Sequence, residues 1–142
     1  MPRTTTPTVM IFGTFDLIHA GHLHLLQQAR KLGNRLIVIV ARDKTVARVK
    51  GETPFHPERL RREILSHIDL VDEVILGDTK DVYKIVRARR PEVIALGYDQ
   101  QVFVEELKVR LKAWRLKTRL VRLKPYRPGR YKTGKIKRYL GQ

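Results

Sequence analysis

Five short apolar runs alternate along this chain with segments of helical spacing, and that alternation constrains the fold more than any other feature. The runs are residues 9–12 (VMIF), 35–41 (RLIVIVA), 73–76 (EVIL), 92–96 (EVIAL) and 119–123 (RLVRL). The second run is apolar at successive positions, as expected of a strand covered on both faces in a parallel sheet. Between the runs the periodicity changes to three and four. Residues 20–32 read as a helix with Leu23, Leu26, Ala29 and Arg30 near one face, and Gly33 stops it. A second helix is predicted over 57–66, with Pro57 at its start, and a third over 81–90, ending before Pro91. Residues 103–116 form a fourth, in which Phe103, Leu107, Leu111 and Trp114 share a face. Residues 125–129 read as a loop and 133–140 as a short basic helix. Strand and helix in strict alternation predict a doubly wound α/β domain with a mostly parallel five-stranded sheet. At 142 residues the chain matches one domain, spanning 1–142, with a core large enough to need no disulfide.

Composition excludes several other classes. The chain is 42% hydrophobic and 31% charged, unlike a disordered chain, and no apolar run reaches transmembrane length. Residues 1–8 lack the apolar core of a secretory signal. There is no cysteine, so thiol nucleophiles and thiolate metal sites are absent. The cytoplasm is the expected compartment, with no membrane partner. The net charge of +16 is unevenly placed: of 30 Lys and Arg residues, 14 fall in segment 107–142, where there is no Asp or Glu. Trp114, Tyr126, Tyr131 and Tyr139 lie among them. Such a segment points either to a polyanionic partner such as nucleic acid or to a solvated face.

In doubly wound sheets ligands bind beyond the C-terminal ends of the strands, where strand order reverses. The loop after the first strand is therefore the first candidate site. It reads Gly13-Thr14-Phe15-Asp16-Leu17-Ile18-His19-Ala20-Gly21-His22. Gly13 lets the backbone approach a ligand, and N–H groups at the helix start favour phosphate. His19 and His22, three apart, share a face and can donate to phosphate oxygens. Nearby anions are expected to favour their protonated forms. The pattern is neither a dinucleotide fingerprint nor a Walker loop. A metal site made by the two histidines with Asp16 is the competing reading. His24, His56 and His67 read as structural or surface positions.

Gly-Thr-Phe-Asp followed by His-x-Gly-His resembles the signature of the cytidylyltransferase-like nucleotidyltransferases, which transfer AMP or CMP to a phosphate-bearing acceptor. Residues 37–50, 57–64, 71–77 and 96–100 resemble small archaeal FAD synthases most closely, and glycerol-3-phosphate cytidylyltransferases more distantly. The resemblance implies a Rossmann-like sheet of order 3-2-1-4-5 and an AMP transfer from ATP to FMN. A CTP-dependent transfer to an alcohol phosphate is the alternative within the family, and nucleic-acid binding by the basic C-terminal third is the alternative outside it. The implied catalytic residues are His19, His22 and Lys50, with Lys50 in the loop before the 57–66 helix. The implied nucleotide site comprises Gly13, Thr14, Phe15, His19, Ala20, Gly21, His22, Arg61, Asp99, Arg127 and Thr133. Arg61 would approach the phosphates, and Asp99 the sugar or base. Mg²⁺ or another divalent cation would accompany the triphosphate, with no metal ligand assigned on the protein, and the enzyme would be a homodimer. Two features depart from the family. An Ile-Ser-Ser/Thr-Thr-like motif is replaced by residues 130–135 (RYKTGK), where Thr133 alone keeps a hydroxyl and Lys132 or Lys135 would supply charge. The C-terminal cysteines of the archaeal enzymes are missing.

Overall fold

A computed structural model describes residues 7–97 and 100–125, without the side chains of Gln101 and Val102. Five strands, β1 (Thr8–Gly13), β2 (Arg35–Val40), β3 (Glu73–Leu76), β4 (Val93–Leu96) and β5 (Arg119–Arg122), form one sheet of order β3-β2-β1-β4-β5. Every pairing is parallel. Strand order and class are therefore as the sequence predicts, and the "mostly" parallel sheet is wholly parallel among the described residues. The central strands are apolar on both faces because both faces are covered. Val9, Ile11, Leu36, Val38 and Val40 pack against Leu26, Ala29 and Leu65 on one side. Met10, Ile37, Ile39 and Ile94 pack against Val86, Val104, Leu107 and Leu111 on the other.

Five helices connect the strands: α1 (Ala20–Arg30), α2 (Asp43–Lys50), α3 (Glu58–Ser66), α4 (Lys84–Arg89) and α5 (Gln101–Ala113). α1 and α3 contribute Leu26, Ala29 and Leu65 to the first face, and α4 and α5 cover the second. Leu23, expected on the inner face of α1, is instead exposed. The segment read as a loop before α3 contains α2, and Lys50 is the last residue of this helix. The signals for α2 were short but present: Asp43 in its first turn, Lys50 in its last, and Gly51 stopping it in the left-handed conformation. α4 begins three residues later than its periodicity suggests. The Asp78 carboxylate accepts the N–H groups of Lys80 and Asp81, and that of Asp81 accepts Tyr83 N–H, which holds the segment in turns. α5 stops at Ala113 rather than Leu116, with Arg115 at a left-handed φ of 56°. The expected loop at 125–129 and helix at 133–140 lie outside the described residues, save Pro125.

Strand order reverses between β1 and β4, and Gln100 spans this crevice. Its side chain accepts Gly97 N–H at 2.7 Å and donates to Phe12 O at 3.1 Å. Arg122 donates to Gly97 O at 2.6 Å. The end of β4 is thus pinned from two neighbouring elements. At the other end of the sheet, Pro7 O accepts the N–H groups of Asn34 and Arg35. Gly33 makes this approach possible, since a Cβ there would overlap Pro7 O and come within 2.8 Å of Val9 Cγ2. Gly33→Ala should therefore lower unfolding free energy by about 1–3 kcal/mol through overpacking. Urea denaturation checks this, with Gly51→Ala, whose Cβ meets open space but must hold a positive φ, as a comparison.

Candidate functional site

The β1–α1 loop is held in an unusual shape. Phe15 and Leu17 have φ values of 53° and 50°, a region that costs an L-residue about 1–2 kcal/mol. The shape folds the Phe15 ring back over Gly13, where a Cβ would lie 2.7 Å from Phe15 Cε2. Gly13 therefore serves the seating of Phe15 and not only ligand approach. Phe15 itself is 5% exposed and belongs to the core, so it supports the site instead of presenting a face to nucleotide. Its ring lies 5.6 Å from that of His22.

His19 and His22 cap α1 reciprocally. Gly21 N–H donates to His19 Nδ1 at 3.0 Å, and His19 N–H donates to His22 Nδ1 at 3.2 Å. The rings lie 4.0 Å apart, centroid to centroid. Spacing alone places the two histidines on one face; the cap assigns their protons. A neutral ring whose Nδ1 accepts must carry its hydrogen on Nε2, so each imidazole keeps an Nε2–H donor. Burial lowers the pKa of both rings, and that of His22 falls to about 3 through burial, then the neighbouring His19, with Lys50 adding to the effect and Asp16 opposing it. Without a bound anion, desolvation disfavours the charged form of both rings, the direction opposite to the one nearby phosphates would impose. Part of the helix N-terminus expected to meet phosphate is already used, since Gly21 N–H is held by His19.

Lys50 does arrive at the loop, from the end of α2 rather than from a loop. Its ammonium donates to Thr14 Oγ1 at 3.2 Å. Thr14, His19, His22 and Lys50 are thereby gathered around one loop, with Ala20 exposed at the helix start.

Arg61 is displaced from its expected role. Its side chain is 0% exposed and cannot approach a phosphate in this arrangement. Nη1 donates to Thr14 O at 2.8 Å, Nε to His56 O at 3.0 Å, and Nη2 to Asp43 Oδ1 at 2.7 Å. It is a strut joining three segments. Asp16 plays a complementary part: it is 4% exposed, and its carboxylate accepts Phe55 N–H at 2.6 Å and His56 N–H at 3.0 Å. That engagement opposes the metal reading. Among the described residues no group of three or more His, Asp or Glu is placed to hold a cation. Asp43 and Glu58 were not anticipated. Each accepts the other's backbone N–H, at 2.7 and 3.3 Å, so the starts of α2 and α3 are tied together. An acidic residue in the first turn of each helix was the available signal. Asp99, Arg127 and Thr133, with Lys132 and Lys135, lie outside the described residues.

Two consequences are measurable. Arg61→Met should cost about 2–4 kcal/mol of stability by leaving buried acceptors unpaired, and Arg61→Lys should recover less than half, since one ammonium cannot span three directions. Chemical denaturation of the three proteins tests this. Long-range nitrogen–proton NMR should show His22 as the neutral Nε2–H tautomer at pH 5. Because its folded pKa lies below the unfolded value near 6.5, its contribution to stability is full above pH 6.5 and falls as the pH drops toward 3. A His22 that titrates near 6.5 in the folded protein contradicts the assignment.

A sequence model of the cytidylyltransferase-like family matches residues 10–138. A FAD synthase of Pyrococcus horikoshii is 44% identical over 130 residues, which cover 90% of this chain and 88% of the relative. A FAD synthase of Archaeoglobus profundus is 47% identical over 116 residues, covering 82% and 74%. The crystal structure of a lipopolysaccharide core biosynthesis protein from Thermoplasma volcanium superposes with a TM-score of 0.80 at 38% identity, covering 86% of this chain and 99% of that one. A pantoate–β-alanine ligase from Francisella tularensis, at 15% identity and a TM-score of 0.59 over 93% and 68% of the two chains, shares the fold. With its switch-point loop, paired histidines and all-parallel 3-2-1-4-5 sheet, the chain belongs to the cytidylyltransferase-like family.

Proposed function

We propose that this protein is an FMN adenylyltransferase, joining AMP from ATP to FMN to give FAD and pyrophosphate. The observation that carries the reading is the similarity to FAD synthases over most of both chains, joined to two neutral Nε2–H donors on the switch-point loop. An oxygen of the FMN phosphate forms a bond to the α-phosphorus as the bond from that phosphorus to the bridging oxygen of pyrophosphate breaks. The attacking oxygen is already an anion, so no strong general base is needed. The protein must align the two phosphates and offset charge that builds on the α-phosphate oxygens.

His19 and His22 suit that task. Their Nδ1 atoms are fixed by the helix cap, so the rings are oriented before substrate arrives, and their Nε2–H groups are the donors for the α-phosphate. Lys50 and Thr14 would hold the outer phosphates, and the charge of Lys50 helps to keep His22 neutral. The divalent cation would enter as part of the metal–triphosphate substrate and ease departure of pyrophosphate. The donor set fits this division, because Asp16 is committed to backbone N–H groups. Asp99, Arg127 and Thr133 remain in the proposed nucleotide site. One domain spanning the chain, a homodimer and a cytoplasmic location belong to the same proposal. Among the described residues no helix is long and apolar enough to cross a membrane.

Incubation with ATP, FMN and Mg²⁺ should yield FAD and pyrophosphate in equal amounts, and CTP with glycerol 3-phosphate should yield far less pyrophosphate. Product formed only in the second mixture would move the assignment to the cytidylyl branch. His22→Ala should lower kcat by about 10²–10³-fold while the circular dichroism spectrum is retained. Near-normal turnover in the folded variant would remove His22 from the mechanism.

A further inference from the structure

The proposed reaction uses cations at the C-terminal ends of the strands, yet a second group lies at the opposite edge of the sheet. α4 and α5 both run back from the site, so their last turns and the start of β5 meet at the N-terminal edge. Arg119 N–H donates to Glu92 O at 2.9 Å, and Thr118 Oγ1 donates to Pro91 O at 2.8 Å, which fixes this meeting. Arg87, Arg90, Lys112, Arg115, Lys117 and Arg119 are all exposed there. The six-residue β1 alone rises roughly 20 Å from this edge to the histidine loop, so these groups do not serve the nucleotide.

Among the described residues none of the six forms an ion pair. The nearby acids are committed elsewhere: Asp72 to Arg30 at 2.6 Å, Glu73 to Arg35 and Arg89 at 2.9 and 2.5 Å, and Glu92 to Thr8 N–H at 3.3 Å. Arg87 and Arg110 both lie 5.8 Å from the centroid of the Trp114 ring, but Arg110 alone has acidic partners, Asp81 and Glu106. Residues 1–6 and 126–142 contain no Asp or Glu side chain. Positive ends of this kind partly complement the C-termini of α4 and α5. Lys117 and Arg119 lie outside both helices, so that effect does not account for them.

We propose that this N-terminal edge of the sheet is a docking surface for the phosphate backbone of a nucleic acid. Six like charges without counter-ions repel one another, and a line of phosphates relieves that repulsion. Four of the six are arginines, whose planar forks match phosphate oxygens. A membrane is the less fitting partner. Of the exposed large apolar side chains among the described residues only Val109 lies on α5, too little apolar surface to insert into a bilayer.

The test compares the full chain with two triple variants of equal charge. One is Lys112→Gln, Lys117→Gln, Arg119→Gln at the edge. The other is Arg59→Gln, Arg62→Gln, Lys80→Gln, exposed and away from it. Binding to a fluorescent 30-base-pair duplex is measured by anisotropy across a salt series. The edge variant should reduce the slope of log affinity against log salt by about 2–3, near one per lost phosphate contact, and the control by less than 1. FAD formation by the edge variant should match wild type. Equal slopes in the two variants, or no change in either, would overturn the proposal. So would tighter binding to phosphatidylserine vesicles than to duplex, lost in the same edge variant.

Discussion

The buried guanidinium of Arg61 is the contact on which the rest of the site depends. It holds the β1–α1 loop through Thr14 O, the approach to α3 through His56 O, and the start of α2 through Asp43. Asp16 clamps the same approach from the opposite direction, and Glu58 closes the circuit with Asp43. A charge this deep is tolerated only because strong acceptors surround it. The arrangement turns three loops, each mobile by nature, into one rigid floor. The left-handed φ values of Phe15 and Leu17 are maintained on that floor, since isolated loops would relax them.

Rigidity has a chemical purpose here. The helix cap uses the Nδ1 atoms of His19 and His22, so one set of contacts completes α1, orients both rings and selects their tautomer. Burial then keeps the rings neutral. For an enzyme that meets a highly charged triphosphate, neutral donors avoid binding the ground state too strongly while still meeting charge that develops during transfer. Lys50, on the exposed end of α2, supplies formal charge nearby. Positive charge placed at this loop is thus a small part of the total surplus. Much of the described remainder lies at the far edge, where it faces solvent without acidic partners.

Five alternating runs made the sheet and its class legible from sequence, and the family resemblance supplied the order. Such runs report burial on both faces directly, as at Val38 and Ile39. α2 was harder to read, because eight residues carry little periodicity and only Thr45 and Val46 are buried. The limits of α4 and α5 moved because local carboxylates and a left-handed Arg115 competed with helix formation. In the candidate site, Gly-Thr-Phe-Asp and His-x-Gly-His marked the β1–α1 loop, and the structure brings Lys50 to Thr14 beside His19 and His22. The resemblance placed Arg61 near the phosphates, and its burial against three acceptors was not legible, because a basic residue on an amphipathic helix looks the same in sequence whether it faces solvent or the interior. The burial of Phe15 was not legible for a similar reason: its backbone angle, not its identity, turns it into the core.

By itself, then, the sequence determined a parallel α/β sheet, its switch-point loop and the chemistry available there. These follow from periodicity and residue type, which are local properties. Only the tertiary structure decided which charged groups brace the loop, as Arg61 and Asp16 do. It also buried the two histidine rings, which lowers their pKa values, and set Lys50 apart from the cations at the opposite edge. Each of these depends on distances between segments far apart in the chain, as between Thr14 and Arg61, and on burial that only packing creates.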